Sequence, residues 1–161
     1  MSDGDSCRLK YFEGEPEVLA EVRQMWDEIF DDPEEFADYY FTEICKQNKI
    51  LLAYKGDVLA GMIHLNPYEM QVEGKKELCY YIVGVAVKPE YREQGIMHKM
   101  MQRVLADMKK DGRAFAFLMP EREEYYESLG FEKVFHTLEL DIDIAELEDE
   151  NVVPDDLSGE E

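Results

Sequence analysis

The chain has 161 residues, 45% of them hydrophobic, and a formal net charge of −21 at pH 7, which bounds it to one α/β domain with a core of its own. So acidic a surface repels phosphate backbones and anionic lipid, excluding partners of the nucleic-acid and membrane-surface classes. Three scattered cysteines (Cys7, Cys45, Cys79), an N-terminus without an apolar core and no apolar run near about 18 residues exclude a disulfide scaffold, a zinc knuckle, a signal peptide and a membrane span, so the expected compartment is the cytoplasm.

Residues 8–13 read as a short first strand. Over 15–30, Val18, Leu19, Val22, Met25, Trp26, Ile29 and Phe30 recur at helical spacing. Asp32, Pro33 and Glu35 then supply a cap, a first-turn proline and a capping-box acid for a second helix reaching about Gln47, with Phe36, Tyr39, Tyr40, Ile44 and Cys45 on it. Residues 49–54 and 58–65 read as a strand pair around Lys55-Gly56-Asp57. Asn66-Pro67-Tyr68 is expected to break the run, and 69–73 and 76–88 to form another pair around Gly74. The apolar stretch LCYYIVGVAV in the last of these predicts a central strand buried on both faces. A helix over 95–111 carries Ile96, Met97, Met100, Met101, Val104, Leu105 and Met108 as its core stripe, and Gly112 stops it. Residues 113–119 predict a short buried strand, Pro120 opens a helix ending at Gly130, and 131–142 predict a last strand. Residues 1–145 are thus read as the folded domain, and 146–161 as an acidic, flexible tail. Helices among strands, with a central strand feeding a helix and then a parallel neighbour, argue for an α/β fold on a mixed sheet.

The most informative stretch is VAVKPEYREQGIM, 85–97. A buried strand leaves through a proline into a polar loop with one glycine, and an amphipathic helix follows. Such a junction directs unpaired backbone N–H groups and the positive end of a helix at one spot, where a phosphate can bind. Arg92, His98, Lys99 and Arg103 put local positive charge here in a chain that is otherwise strongly acidic. A second segment, Tyr125-Tyr126-Glu127-Ser128-Leu129-Gly130-Phe131, reads by itself as a glycine-capped helix end.

Together the two segments resemble the GNAT superfamily of N-acetyltransferases. The first is similar to the family's acyl-CoA loop, [RQ]-x-x-G-x-[GA], through Arg92, Gly95 and Met97; the second is similar to its Y-x-x-x-G-F pattern through Tyr126, Gly130 and Phe131. A narrower likeness is to the N-terminal catalytic domain of bacterial "enhanced intracellular survival" acetyltransferases, on HLNPY (64–68), YYIVGVAVKPEYREQGIM (80–97) and LMPEREEYYESLGF (118–131). Met commonly takes the second small position of the loop in that group, whose members are usually much longer than this chain. Where many family members have an Asn before the last helix, this chain has Met119.

The resemblance implies a single domain with a central mixed sheet of six to seven strands flanked by about four helices. It implies acetyl-CoA as co-substrate, no metal, and direct transfer to a primary amine of a small-molecule, peptide or polycationic acceptor in a ternary complex. Val85, Ala86 and Val87 then line the pantetheine arm, and Arg92, Glu93, Gln94, Gly95, Ile96, Met97 and His98 hold the diphosphate. Tyr126 matches the family's general acid. Glu77, which shares a strand face with Tyr81, is the candidate general base, with Glu69 and His64 behind it. A homodimer through a sheet edge or a helix is compatible with the sequence. The alternative is an inactive domain that senses acyl-CoA or serves as an interaction module.

Overall fold

The computed structural model describes residues 7–134, and those up to Phe131 form one unit. In chain order they give β1 (Cys7–Tyr11), α1 (Pro16–Ile29), α2 (Glu34–Tyr39), β2 (Lys49–Lys55), β3 (Val58–Val72), β4 (Lys75–Val87), α3 (Ile96–Lys110), β5 (Ala116–Phe117) and α4 (Glu124–Glu127). The strands lie in sequence order in one sheet. Neighbours are antiparallel except β4 and β5, which run parallel.

The described sheet has five strands, not six to seven. One reason is Pro67, which does not break the run. Pairing with β2 ends at Leu65, so at Pro67 one edge of β3 is open and a missing N–H leaves no ladder bond unmade there. The two expected strands 58–65 and 69–73 therefore merge into one, β3, which pairs with β2 on one edge and β4 on the other, with Pro67 opposite Tyr80. Another reason is that the strand expected over 131–142 lies mostly outside the described residues; 131–134 carry no regular structure. The acidic tail lies outside them as well.

The second helix also differs from expectation. No side chain caps it, and Asp32 instead accepts the Trp26 indole N–H at 3.0 Å. Regular α-helix stops at Tyr39, and Tyr40–Ile44 form a π-helical turn. Widening the helix there brings consecutive residues, Tyr40 and Phe41, inward together. Phe36, Tyr39 and Ile44 are left exposed.

The sheet has a core on each face. On one, Val22, Met25 and Trp26 of α1 and Tyr40 and Phe41 meet Ile50, Leu52, Met62 and Ala86. On the other, the methionine-rich stripe of α3 covers Leu51, Ile63, Leu65, Tyr80 and Ile82. The nearly continuous apolar run of β4 follows from this double burial.

Candidate functional site

Two breaks in regular pairing meet on β4. The first is a bulge. Met62 pairs with Ala86 but His64 pairs with Val83, so β4 carries one extra residue there. Gly84 takes a left-handed φ of 57° at this point, and a β-carbon on it would lie 2.6 Å from Trp26 Cζ3 and 3.0 Å from His64 Cδ2. Only glycine meets both constraints. The extra residue reverses the alternation of the strand. Tyr81 and Val83 look to the α1 face; after the bulge Val85 and Val87 look to the α3 face and Ala86 to the α1 face.

The second break is between β4 and β5. Only Tyr80↔Ala116 and Tyr81↔Phe117 pair. Of the seven residues expected to form a strand over 113–119, two do. Beyond Tyr81, β4 runs on to Val87 with that edge unpaired among the described residues. The two strands part where the bulge begins.

The loop after Val87 leads from this edge to α3. Arg92 is exposed, and its Nε donates to Val87 O at 3.0 Å, which ties the loop to the strand end. Glu93 and Gly95 have left-handed φ values of 61° and 72°. Glycine takes that conformation freely, whereas at Glu93 it is strained. The first main-chain bond of the helix is Lys99 N–H to Gly95 O, at 3.0 Å. Among the described residues, the N–H groups of Glu93, Gln94, Gly95, Ile96, Met97 and His98 make no hydrogen bond. No side chain caps the helix and no acid stands in its first turn. A β-carbon on Gly95 would meet nothing within 4 Å, so the approach to these amides is open. A helix end left with its donors and dipole uncompensated is chemically suited to a diphosphate. Of the residues assigned to this loop, Ile96 is buried in the α3 core, so only its backbone is available to a ligand, while Met97 is half-buried.

Tyr126 packs into the same core as Val85, Val87, Tyr91 and Ile96. Gly130, at φ 83°, turns the chain back after α4, with Leu129 N and Phe131 N both bonded to Tyr126 O. That turn sets the Phe131 ring edge-on to Tyr126, 5.8 Å between centroids. Burial raises the Tyr126 pKa above the ordinary phenol value, with Glu121 adding to the shift. Its hydroxyl has no hydrogen-bond partner among the described residues.

Glu77 is half-buried, opposite Met70 and on the face of Tyr81. It lies four residues before the last paired rung, about 13 Å along the strand, and is not brought against Tyr126. Glu69 faces the other way and pairs with Lys76 Nζ at 2.7 Å. Met119, in place of the family's Asn, is 66% exposed.

His64 lies wholly buried beneath the bulge, in a polar network that sequence reasoning does not foresee. The Tyr40 hydroxyl accepts from Asn48 Nδ2 (3.0 Å), donates to Asn66 Oδ1 (3.3 Å) and lies 3.0 Å from His64 Nδ1. All three contacts are satisfied when Nδ1 carries the imidazole proton, which leaves Nε2 a bare acceptor without a partner. Burial pushes the His64 pKa down to about 3, so the ring is neutral at pH 7. Also unforeseen is a ring cluster at the last paired rung of β4 and β5. Tyr81 and Phe117 stack at 4.9 Å, and Tyr68 stands edge-on to both. Both groupings depend on strand register and on the π-turn, which local sequence does not carry.

Among the described residues no group of His, Cys, Asp and Glu is arranged to hold a metal, and no helix is long and apolar enough to cross a membrane.

The sequence profile of the Acetyltransferase (GNAT) domain family matches residues 13–134. None of the curated proteins compared matches the chain. Among solved structures, the fold is similar to a probable N-acyltransferase of Enterococcus faecalis, at TM-score 0.72 and 22% identity over 79% of this chain and 32% of that one. The chain thus spans about a third of the length of that protein. It is also similar to a predicted acetyltransferase of Clostridium acetobutylicum solved with acetyl-CoA (0.65, 17% identity, 84% and 96% covered). A third likeness is glucosamine-6-phosphate N-acetyltransferase of Arabidopsis thaliana (0.63, 14% identity, 86% and 99% covered).

Proposed function

Since the chain belongs to the GNAT acetyltransferase domain family, we propose that it is an acetyl-CoA-dependent N-acetyltransferase that acylates a primary amine by direct attack in a ternary complex. The observation that carries this reading is the set of amides at 93–98 that, among the described residues, make no bond, beside the edge of β4 that is unpaired there. Those amides hold the diphosphate of acetyl-CoA, and the exposed side chain of His98 adds donor capacity at the rim. The unpaired backbone at Val85 and Val87 receives the pantetheine arm, with Ala86 packed beneath. A backbone N–H of the strand next to the bulge stabilises the oxyanion that forms when the amine adds to the thioester.

The new bond joins the amine nitrogen to the acetyl carbon, and the carbon–sulfur bond breaks. Tyr126 gives its proton to the departing sulfur. Burial keeps the phenol protonated at neutral pH, and among the described residues its hydroxyl has no protein partner. The amine loses its proton to water, drawn toward the carboxylate of Glu77 on the acceptor face. The narrower likeness to "enhanced intracellular survival" proteins rests on the sequence segments 64–68, 80–97 and 118–131.

The test follows free thiol after mixing the protein with acetyl-CoA and pooled primary amines. Acceptor-dependent thiol release is expected. Tyr126→Phe should lower kcat about a hundredfold, with KM for acetyl-CoA unchanged; full turnover by that variant would remove Tyr126 from the acid role.

A further inference from the structure

The cluster of Tyr68, Tyr81 and Phe117 is unusual in what covers it. Tyr81 points to the α1 face, yet none of its three rings is packed into the core beneath α1 and α2, which along β4 reaches only Val83 and Ala86. The rings pack on one another instead. Tyr81 and Phe117 are nearly parallel, at 12°, while Tyr68 meets them at 89° and 80°. Tyr68 is 47% exposed, and the other two are half-buried.

The face continues outward along the hairpin through Met70 and Val72, both exposed, to Glu77 opposite Met70. The exposed Phe36 and Tyr39 belong to α2, whose following turn is joined to this part of β3 by the Tyr40–Asn66 hydrogen bond. Aromatic rings left partly open, with the carboxylate of Glu77 farther along the same face, suit a ligand that offers both π-surface and positive charge. Its position adds a constraint: Tyr81 and Phe117 form the rung at which β4 and β5 part.

Resting on the transferase reading above, we infer that the acceptor is a primary amine borne on a flat aromatic group, which extends the Tyr68–Tyr81–Phe117 stack and directs its amine toward the parted strands. The rings attract the ammonium form on approach. They also bury the aryl body, and apolar desolvation favours the neutral amine that attacks. An aliphatic amine of equal size loses the ring–ring term.

The experiment uses the full chain and two acceptors matched in length, 2-phenylethylamine and 2-cyclohexylethylamine, with butane-1,4-diamine as a non-apolar reference. KM for the phenyl compound should be about tenfold below that for the cyclohexyl compound. Tyr68→Ala should raise it about tenfold, with kcat and KM for acetyl-CoA within about twofold, and Tyr68→Phe should restore it. Leu78→Ala, an exposed change on the opposite face of the same hairpin, should leave all three values alone. Acetyl transfer without discrimination between the phenyl and cyclohexyl amines would overturn the inference and leave the transferase reading standing. So would a Tyr68→Ala protein that changes its sedimentation but not its amine KM, since the face would then belong to a second copy of the chain. Failure to bind acetyl-CoA would remove both.

Discussion

On the α1 side of the sheet the buried polar groups answer one another, His64 Nε2 excepted. The Tyr40 hydroxyl is bound by Asn48, Asn66 and His64, and Asp32 takes the indole N–H of Trp26. On the α3 side the Tyr11 hydroxyl is likewise bound, by Asp107, but among the described residues the Tyr126 hydroxyl has no partner and six successive amides from Glu93 to His98 make no bond. Tyr40 and Tyr126 are both buried enough to raise their pKa. What separates them is satisfaction. A buried polar group that is matched fixes the structure around it, whereas one left unmatched is available to a ligand and contributes little to folding. The bulge at Gly84 joins the two regimes, since it rests on Trp26 and His64 on one side and turns Val85 and Val87 to the other.

The largest effect should come from breaking that joint. Gly84→Val places a side chain into Trp26 and His64 at a left-handed φ; the two penalties together should cost about 3 kcal/mol, read from the urea midpoint. The next contrast separates the tyrosines. Tyr40→Phe strands Asn48, Asn66 and His64, and should destabilise the protein by about 2 kcal/mol. Tyr126→Phe removes a hydroxyl without a partner among the described residues and should change stability by less than about 0.5 kcal/mol, whatever it does to turnover. Equal losses in the two variants would erase the distinction between the faces.

A smaller effect, per pH unit, sharpens the role of His64. In the unfolded chain an imidazole binds a proton below its ordinary pKa of 6.5, whereas the buried ring does not until about 3. Across that window the unfolded state holds more protons, so His64 makes stability rise with pH, and the contribution is level above it. Between pH 4 and 6 the wild type should therefore have a slope steeper than that of His64→Gln by about 1.4 kcal/mol per pH unit. Identical slopes would mean that the ring is solvated.

Much of this was readable in the chain. The apolar run of β4, the stripe of α3 and the loop between them stand in the sequence, and so does the glycine cap that brings Phe131 onto Tyr126. Other features depend on distant partners. Pro67 reads as a breaker because local sequence does not tell that β2 has already ended beside it. Gly84 reads as one small residue in an apolar run; its bulge appears only in the register with β3. The stretch 113–119 reads as a full strand, although only Ala116 and Phe117 pair, because the parting of β4 and β5 is a property of the two strands together. The capping pattern before α2 fails for a similar reason, since Asp32 has a better partner in Trp26.

The central claim is that the amides after Arg92 are an anion site, and amide resonances report on it directly. In a titration of the isotopically labelled protein with acetyl-CoA, the N–H signals of Glu93 to His98 should move downfield in a saturable way while those bonded within α3 from Lys99 onward move little. Saturation of the protein with acetyl-CoA while those six signals stay in place would contradict the account.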